Sequence, residues 1–334
     1  MFNKKNISLL GLIFGIIVLL FFIFSSPPAG LTRISWLTAG ITIFMTIWWV
    51  TEAIPIYATG LVPLVFFPLL GLFDLKMVSS SYAHPLVLLF LGGFIIASAM
   101  EACGLHKRIA LKILSFSGTS PSRIIAGFMI TTATLSMWVS NTASTIMMLP
   151  IATSVILFFN NQKKISKENF AIPLFLSIAY AASIGGTATL IGTPTNIMLA
   201  SILSDTYGYK INFIDWFMIG FPVVSILIPV VWLIMTKVIF KVSSRKSDAL
   251  ENTLVKMKKE IGRPSTTEKV VAIVFFITAT LWIFRKAINE KFNLTLNDTS
   301  IGVLGALLLF IIPCEENKRA CSWKTANKIP WGVL

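Results

Sequence analysis

The chain has 334 residues, 55% hydrophobic and only 13% charged, with a mean hydropathy of +0.82; soluble domains carry about a quarter charged residues, so a soluble globular protein is excluded. The formal charge of +14 does not indicate a nucleic-acid partner, because the basic residues sit in short connectors between apolar runs and not on one amphipathic face. Lipid admits only helices or a closed barrel, and continuous runs approaching the roughly 20 residues that cross a hydrocarbon core predict an all-α, multi-span integral membrane protein.

The first run, Ile7 to Phe24, follows Lys4 and Lys5 and is long for a signal-peptide core. Ser25, Ser26, Pro27 and Pro28 offer no small-x-small cleavage site, so it reads as an uncleaved span. Further spans are predicted over 34–51, 55–73, 85–102, 171–203, 214–236, 270–284 and 299–313. Glu52 before Ala53-Ile54-Pro55, Glu101, His84 and His106 fall at predicted interfaces and receive no role, and Trp48, Trp49 and Trp216 fit an aromatic belt. Cys103, Cys314 and Cys321 match no metal-ligand spacing and read as inert.

Orientation follows from the basic residues, which collect on the cytoplasmic side. With the N-terminus cytoplasmic in the inner cell membrane, 22 of the 28 fall in cytoplasmic loops, leaving Arg33, Lys76, Lys210, Arg285, Lys286 and Lys291 outside. This works only if the chain enters and leaves the apolar stretch 124–159 on one face, because Arg123 precedes it and Lys163 follows it. A hairpin is therefore expected. At about 36 residues it is short for two crossings, and Ser140-Asn141-Thr142-Ala143-Ser144-Thr145 suits the tip of a re-entrant hairpin whose backbone is satisfied by protein or water. Two ordinary spans joined by a polar turn remain the alternative.

The segment 171–203 is interrupted by Gly185-Gly186-Thr187-Ala188-Thr189-Leu190-Ile191-Gly192-Thr193-Pro194-Thr195-Asn196. Pro194 removes a donor and biases Thr193 away from helical geometry, while Gly185, Gly186 and Gly192 tolerate non-helical dihedrals, so a discontinuous helix is predicted. Such breaks free carbonyls for a small hard cation and aim half-helix N-termini at an anion. Ser136 and Ser140, four apart, share a helix face leading into the tip, and neutral oxygen ligands suit Na⁺. Thr187, Thr189, Thr193, Thr195 and Asn196 give the second break the same inventory. One Ser/Thr cluster alone is better explained as helix–helix packing; two clusters that each coincide with a break favour a site. No pair of carboxylates and no His lies inside a span, so an intramembrane enzyme is not supported and a transporter is.

With these motifs in view, the sequence resembles the N-terminal portion of a divalent anion:sodium symporter (DASS family), Na⁺/dicarboxylate symporter-like. The resemblance rests on Trp48-Trp49-Val50-Thr51-Glu52-Ala53-Ile54-Pro55, Leu91-Gly92-Gly93-Phe94, Ser140-Asn141-Thr142 with Met147-Met148-Leu149-Pro150, and Gly192-Thr193-Pro194-Thr195-Asn196, in that order. It implies an inverted-repeat fold, with an N-terminal span and connector over 1–33, a first repeat over 34–240 and a cytoplasmic loop over 241–269. Residues 270–334 would then open a second repeat. It further implies Na⁺ at Ser136, Ser140, Asn141 and Gly192, and substrate at Asn141, Thr142 and Thr193. Na⁺ serves there as the coupling ion, with no other cofactor. The implied activity is Na⁺-coupled symport of di- and tricarboxylates of the succinate, malate, fumarate and citrate class by an elevator-type alternating access, in a homodimer if full length. Ser-Asn-Thr occurs once, at residue 140, which sets the expectation of a truncated chain, inactive by itself. The other readings are a Na⁺-independent dicarboxylate or sulfate exchanger of the same fold and a membrane structural or assembly subunit.

Overall fold

The computed structural model describes residues 4–118, 120–160, 170–242, 261–314 and 319–334; Lys163, Lys164, Lys167 and most of the expected 241–269 loop lie outside the described residues. It divides into two compact units, residues 1–84 with 332–334 and residues 85–331. Among the described residues the secondary structure is helical, with one isolated bridge between Pro313 and Arg319.

In the first unit, α1 (Lys4–Phe24) pairs with α2 (Arg33–Thr51) around Leu19, Leu37, Ile41 and Phe44. Gly40 permits the approach: a methyl there would stand 2.5 Å from Phe22. Glu52, with φ 46°, caps α2 in the left-handed conformation and turns the chain. The expected span 55–73 is not one helix. It is α3 (Ile56–Thr59) and α4 (Val62–Leu69), followed by α5 (Leu75–Tyr82). Pro63 lacks the N–H that would continue α3 into α4, and Pro68 repeats the interruption before Gly71 closes the segment at φ +66°.

The second unit contains two helix groups. In one, α6 (Pro85–Cys103) packs on α13 (Thr266–Phe292) and α14 (Asp298–Ile311), with α15 (Trp323–Ala326) held by a 3.0 Å bond from Ser98 Oγ to the Thr325 carbonyl. Gly92 and Gly302 bring α6 and α14 backbone to backbone; a methyl on Gly92 would meet the Gly302 carbonyl carbon at 2.6 Å. The other group is α7 (Leu105–Ser117), α8 (Pro121–Ser136), α9 (Asn141–Asn160), α10 (Ala171–Gly186), α11 (Pro194–Tyr207) and α12 (Phe213–Leu233). Its core includes Leu114, Ile125, Phe128, Met148, Leu174 and Val224. α8 lies antiparallel along α12, with Trp232 Nε1 donating to the Ser122 carbonyl at 2.8 Å at one end and Trp138 stacked beside Phe213 at the other.

Among the described residues, five helical segments are long and apolar enough to cross a membrane: 6–24, 33–51, 75–103, 213–239 and 266–292. The expected span 299–313 is the 14-residue α14. Polar clasps join connectors assigned above to the same face. Arg108 Nε donates to Glu268 Oε2 at 2.8 Å and its Nη1 to the Gly262 carbonyl at 2.9 Å, while Glu268 closes a capping box with Ser265 at the start of α13. At the opposite ends, Lys286 meets Asp215 at 3.0 Å.

His106, expected at an interface, is only 4% exposed, with Nδ1 3.3 Å from the Met100 carbonyl. A carbonyl only accepts, so Nδ1 carries the proton. Burial pushes the imidazole pKa below its ordinary 6.5, outweighing the opposing effect of the Met100 bond. The folded protein therefore keeps His106 neutral where the unfolded chain protonates, and stability that is complete above pH 6.5 is lost as pH falls below it. Thermal unfolding in detergent between pH 8 and pH 5 is expected to fall less steeply for His106→Gln than for the wild type; parallel curves would refute this. Cys321 is buried, which raises its thiol pKa to about 11 and disfavours the thiolate form.

Candidate functional site

The stretch 121–160 folds as helix, turn, helix, with the turn at Met137–Ser140, and 171–207 is two helices separated by Thr187–Thr193. Both α8 and α9 pack on α10, and this brings four helix ends together. The C-terminal ends of α8 and α10 present carbonyls; the N-terminal ends of α9 and α11 present N–H groups. One pair carries partial negative charge and the other partial positive charge.

Ser136, fully buried at the end of α8, stands at the junction. Its Oγ lies 2.7 Å from the Ala182 carbonyl of α10 and 2.8 Å from Asn141 Oδ1 at the start of α9. A hydroxyl has one proton to give. It can therefore serve only one of these two acceptors at a time, unless the carboxamide is turned to present Nδ2 to Ser136 Oγ. Ser140 is the N-cap of α9, its hydroxyl accepting from the Ala143 N–H at 3.3 Å and its carbonyl from the Ser144 N–H at 2.9 Å. Thr142 follows in the first turn of α9 with its side chain exposed.

The second break is held from within. Asn196, 5% exposed, donates from Nδ2 to the Gly186 carbonyl at 2.9 Å and the Thr189 carbonyl at 2.8 Å. Thr189 Oγ1 donates to the Met137 carbonyl, tying the two breaks together. Trp216 Nε1 donates to the Thr187 carbonyl at 2.9 Å, a structural role beyond the aromatic belt expected for it. Thr193 is extended at the N-cap of α11, its hydroxyl 3.5 Å from that of Thr195, and Pro194 fills the first helical position, where no N–H is needed.

The structure thus joins Ser136 and Asn141 directly, with Ser140 and Thr142 beside them on the same tip. Gly192 reaches them through Gly186: it abuts the Gly186 carbonyl, and the bare Cα of Gly186 lies under the Asn141 carboxamide. Thr193 adjoins Gly192 in sequence and contacts Thr195 rather than the tip. Gly185 and Gly186 end α10 with helical backbone, contrary to the non-helical dihedrals expected of them, while Gly192 lies in the bend of the break. None of Gly185, Gly186 and Gly192 has a positive φ; they serve close approach, Gly185 against the Ala133 backbone and Gly186 against Asn141. Gly186, the Ala182 carbonyl and Trp138 are the participants that motif reading passed over, and only the small-residue pair Gly185-Gly186 hinted at the first. The residues meeting here are uncharged, and what they present is hydroxyl, carboxamide and carbonyl oxygens together with helix N-termini.

A family model described as citrate transporter (CitMHS) matches residues 46–334. The sodium-dependent dicarboxylate transporter SdcS of Staphylococcus aureus strain USA300 is 40% identical over 346 aligned positions, covering 99% of this chain and 66% of the relative. SdcS of strains NCTC 8325 and COL is 39% identical over the same shares. The chain spans 66% of the length of these relatives.

Proposed function

The chain belongs to the citrate transporter (CitMHS) family, as its resemblance to the divalent anion:sodium symporters anticipated, and from that premise we propose that it serves Na⁺-coupled symport of small di- and tricarboxylates. The observation that carries the reading is the meeting of two helix C-terminal ends and two helix N-terminal ends around Ser136, Asn141 and Gly186. Na⁺ is taken by Asn141 Oδ1 with the oxygens of Ser136 and Ser140 and the backbone at Gly192. A substrate carboxylate faces the N-terminal turns of α9 and α11, reached by Thr142 and Thr193. Because the ligands are neutral, the bound cation leaves a net positive charge that draws the anion to the same place, which is the physical basis of coupling.

The length of the first arm supports a re-entrant reading. α8 has 16 residues, roughly 24 Å, less than a hydrocarbon core of about 30 Å; we take the α8–α9 hairpin as re-entrant from the cytoplasmic side, with the N-terminus cytoplasmic. The named activity of the SdcS relatives, sodium-dependent dicarboxylate transport, agrees with this reading. Proteoliposomes carrying the full-length protein should accumulate labelled succinate in NaCl and not in choline chloride. Equal uptake in the two salts would replace symport by the Na⁺-independent exchanger.

A further inference from the structure

We propose that Trp138 is a positioning residue for the ion site, holding the α8–α9 tip through an aromatic row whose far end is anchored on Asp298. This rests on the reading of Asn141 and Ser136 as Na⁺ ligands. The tip, Met137–Ser140, lies between two helices; its N–H groups at Met137, Trp138 and Val139 bond back to the Ala133 and Leu135 carbonyls of α8, which ties its backbone to that helix on one side. Its carbonyl at Met137 is held by Thr189, and Ser140 caps α9. Trp138 holds the remaining side.

The Trp138 indole stacks beside Phe213, with centroids 6.0 Å apart and planes at 23°, and meets Phe275 edge-on at 4.8 Å. Phe213 in turn stacks on Trp282 at 4.7 Å and 18°. Phe213 is fully buried and Trp282 is 1% exposed. The row thus crosses from the α7–α12 group to the α6–α13–α14 group.

Polar bonds fix its far end. Phe213, the first residue of α12, donates its N–H to Asp298 Oδ2 at 2.8 Å, and Trp282 Nε1 donates to the Asp298 carbonyl at 2.9 Å. The Arg285 guanidinium lies 3.3 Å from Asp298 Oδ1. Asp298, 8% exposed, begins α14, so its carboxylate faces the positive ends of two helices. A buried ion pair gives little net stability over apolar packing of the same volume. What it supplies here is direction: it sets the angle of Phe213 and Trp282, and through them the height of Trp138 and of the ligands on either side of it.

The test is Na⁺-induced thermal stabilisation of the purified full-length protein, titrated with NaCl against choline chloride. Trp138→Ala and the remote Asp298→Ala are each expected to raise the Na⁺ concentration for half-maximal stabilisation by roughly tenfold, the scale of one lost aromatic pair. Trp138→Phe, which keeps a ring in the row, stays within about twofold of wild type. Asp298→Asn keeps an acceptor for the Phe213 N–H, and is used if alanine fails to fold; it should shift in the same direction. A lower melting temperature at every Na⁺ concentration with an unchanged half-maximal point would overturn the positioning role while leaving the ion site standing. A wild type without any Na⁺ response would overturn the ion site, and this proposal with it.

Discussion

Asn141→Ala is expected to lower Na⁺-driven succinate uptake by about 100-fold or more while leaving the protein folded. The carboxamide reaches Ser136 Oγ on one side and Gly186 on the other, and it is the side chain assigned to both ions. Hydrogen bonds to charged groups contribute about 1.5–3 kcal/mol each, and the loss of two corresponds to roughly two to four powers of ten. The side chain is only half-buried, so truncation leaves no large cavity. Asn141→Asp separates the two ions. It preserves the shape and an acceptor for the Ser136 hydroxyl but adds a negative charge at the N-terminus of α9, where the substrate carboxylate must lie. Na⁺-dependent stabilisation should survive in that variant and succinate uptake should not. Uptake by Asn141→Ala within threefold of wild type would remove Asn141 from the site.

Gly186→Ala should match that loss of transport without touching either ion. The added methyl would occupy space held by the Asn141 carboxamide, and overpacking of this kind costs about 1–3 kcal/mol of stability. If displacement of Asn141 is the cause, the two changes are not independent. The double variant Asn141→Ala with Gly186→Ala should then transport no worse than either single one and should recover part of the lost melting temperature, since a smaller residue 141 makes room for the methyl. Additive losses would mean that Gly186 acts through α10 itself and not through Asn141.

Much of this was legible before any coordinates. Composition settles helices in lipid, because an apolar segment has no other way to satisfy its backbone there. The basic residues flanking 124–159 set the expectation of a hairpin, where the chain folds as helix, turn and helix, and Pro194 with its neighbours set the expectation of a break, which falls between Thr187 and Thr193. The motif residues Ser136, Ser140, Asn141, Thr142, Gly192 and Thr193 were named from pattern and resemblance. The division of 55–73 was missed because its hydropathy is uninterrupted; Pro63 and Pro68 act on hydrogen bonds, to which hydropathy is blind.

Tertiary structure alone decided which of these residues meet. Spacing along the chain cannot reveal that Ser136 reaches Ala182, that Asn141 rests on Gly186, or that Thr189 holds Met137, because these partners lie on different helices and their contact depends on how α8 crosses α10. Nor could it assign the glycines to close approach, or bury His106 and Asp298 beside the partners that fix their protons and charges. Local sequence specifies where helices start, stop and break through propensity and backbone chemistry; the site is made of the distances between those ends, which packing sets.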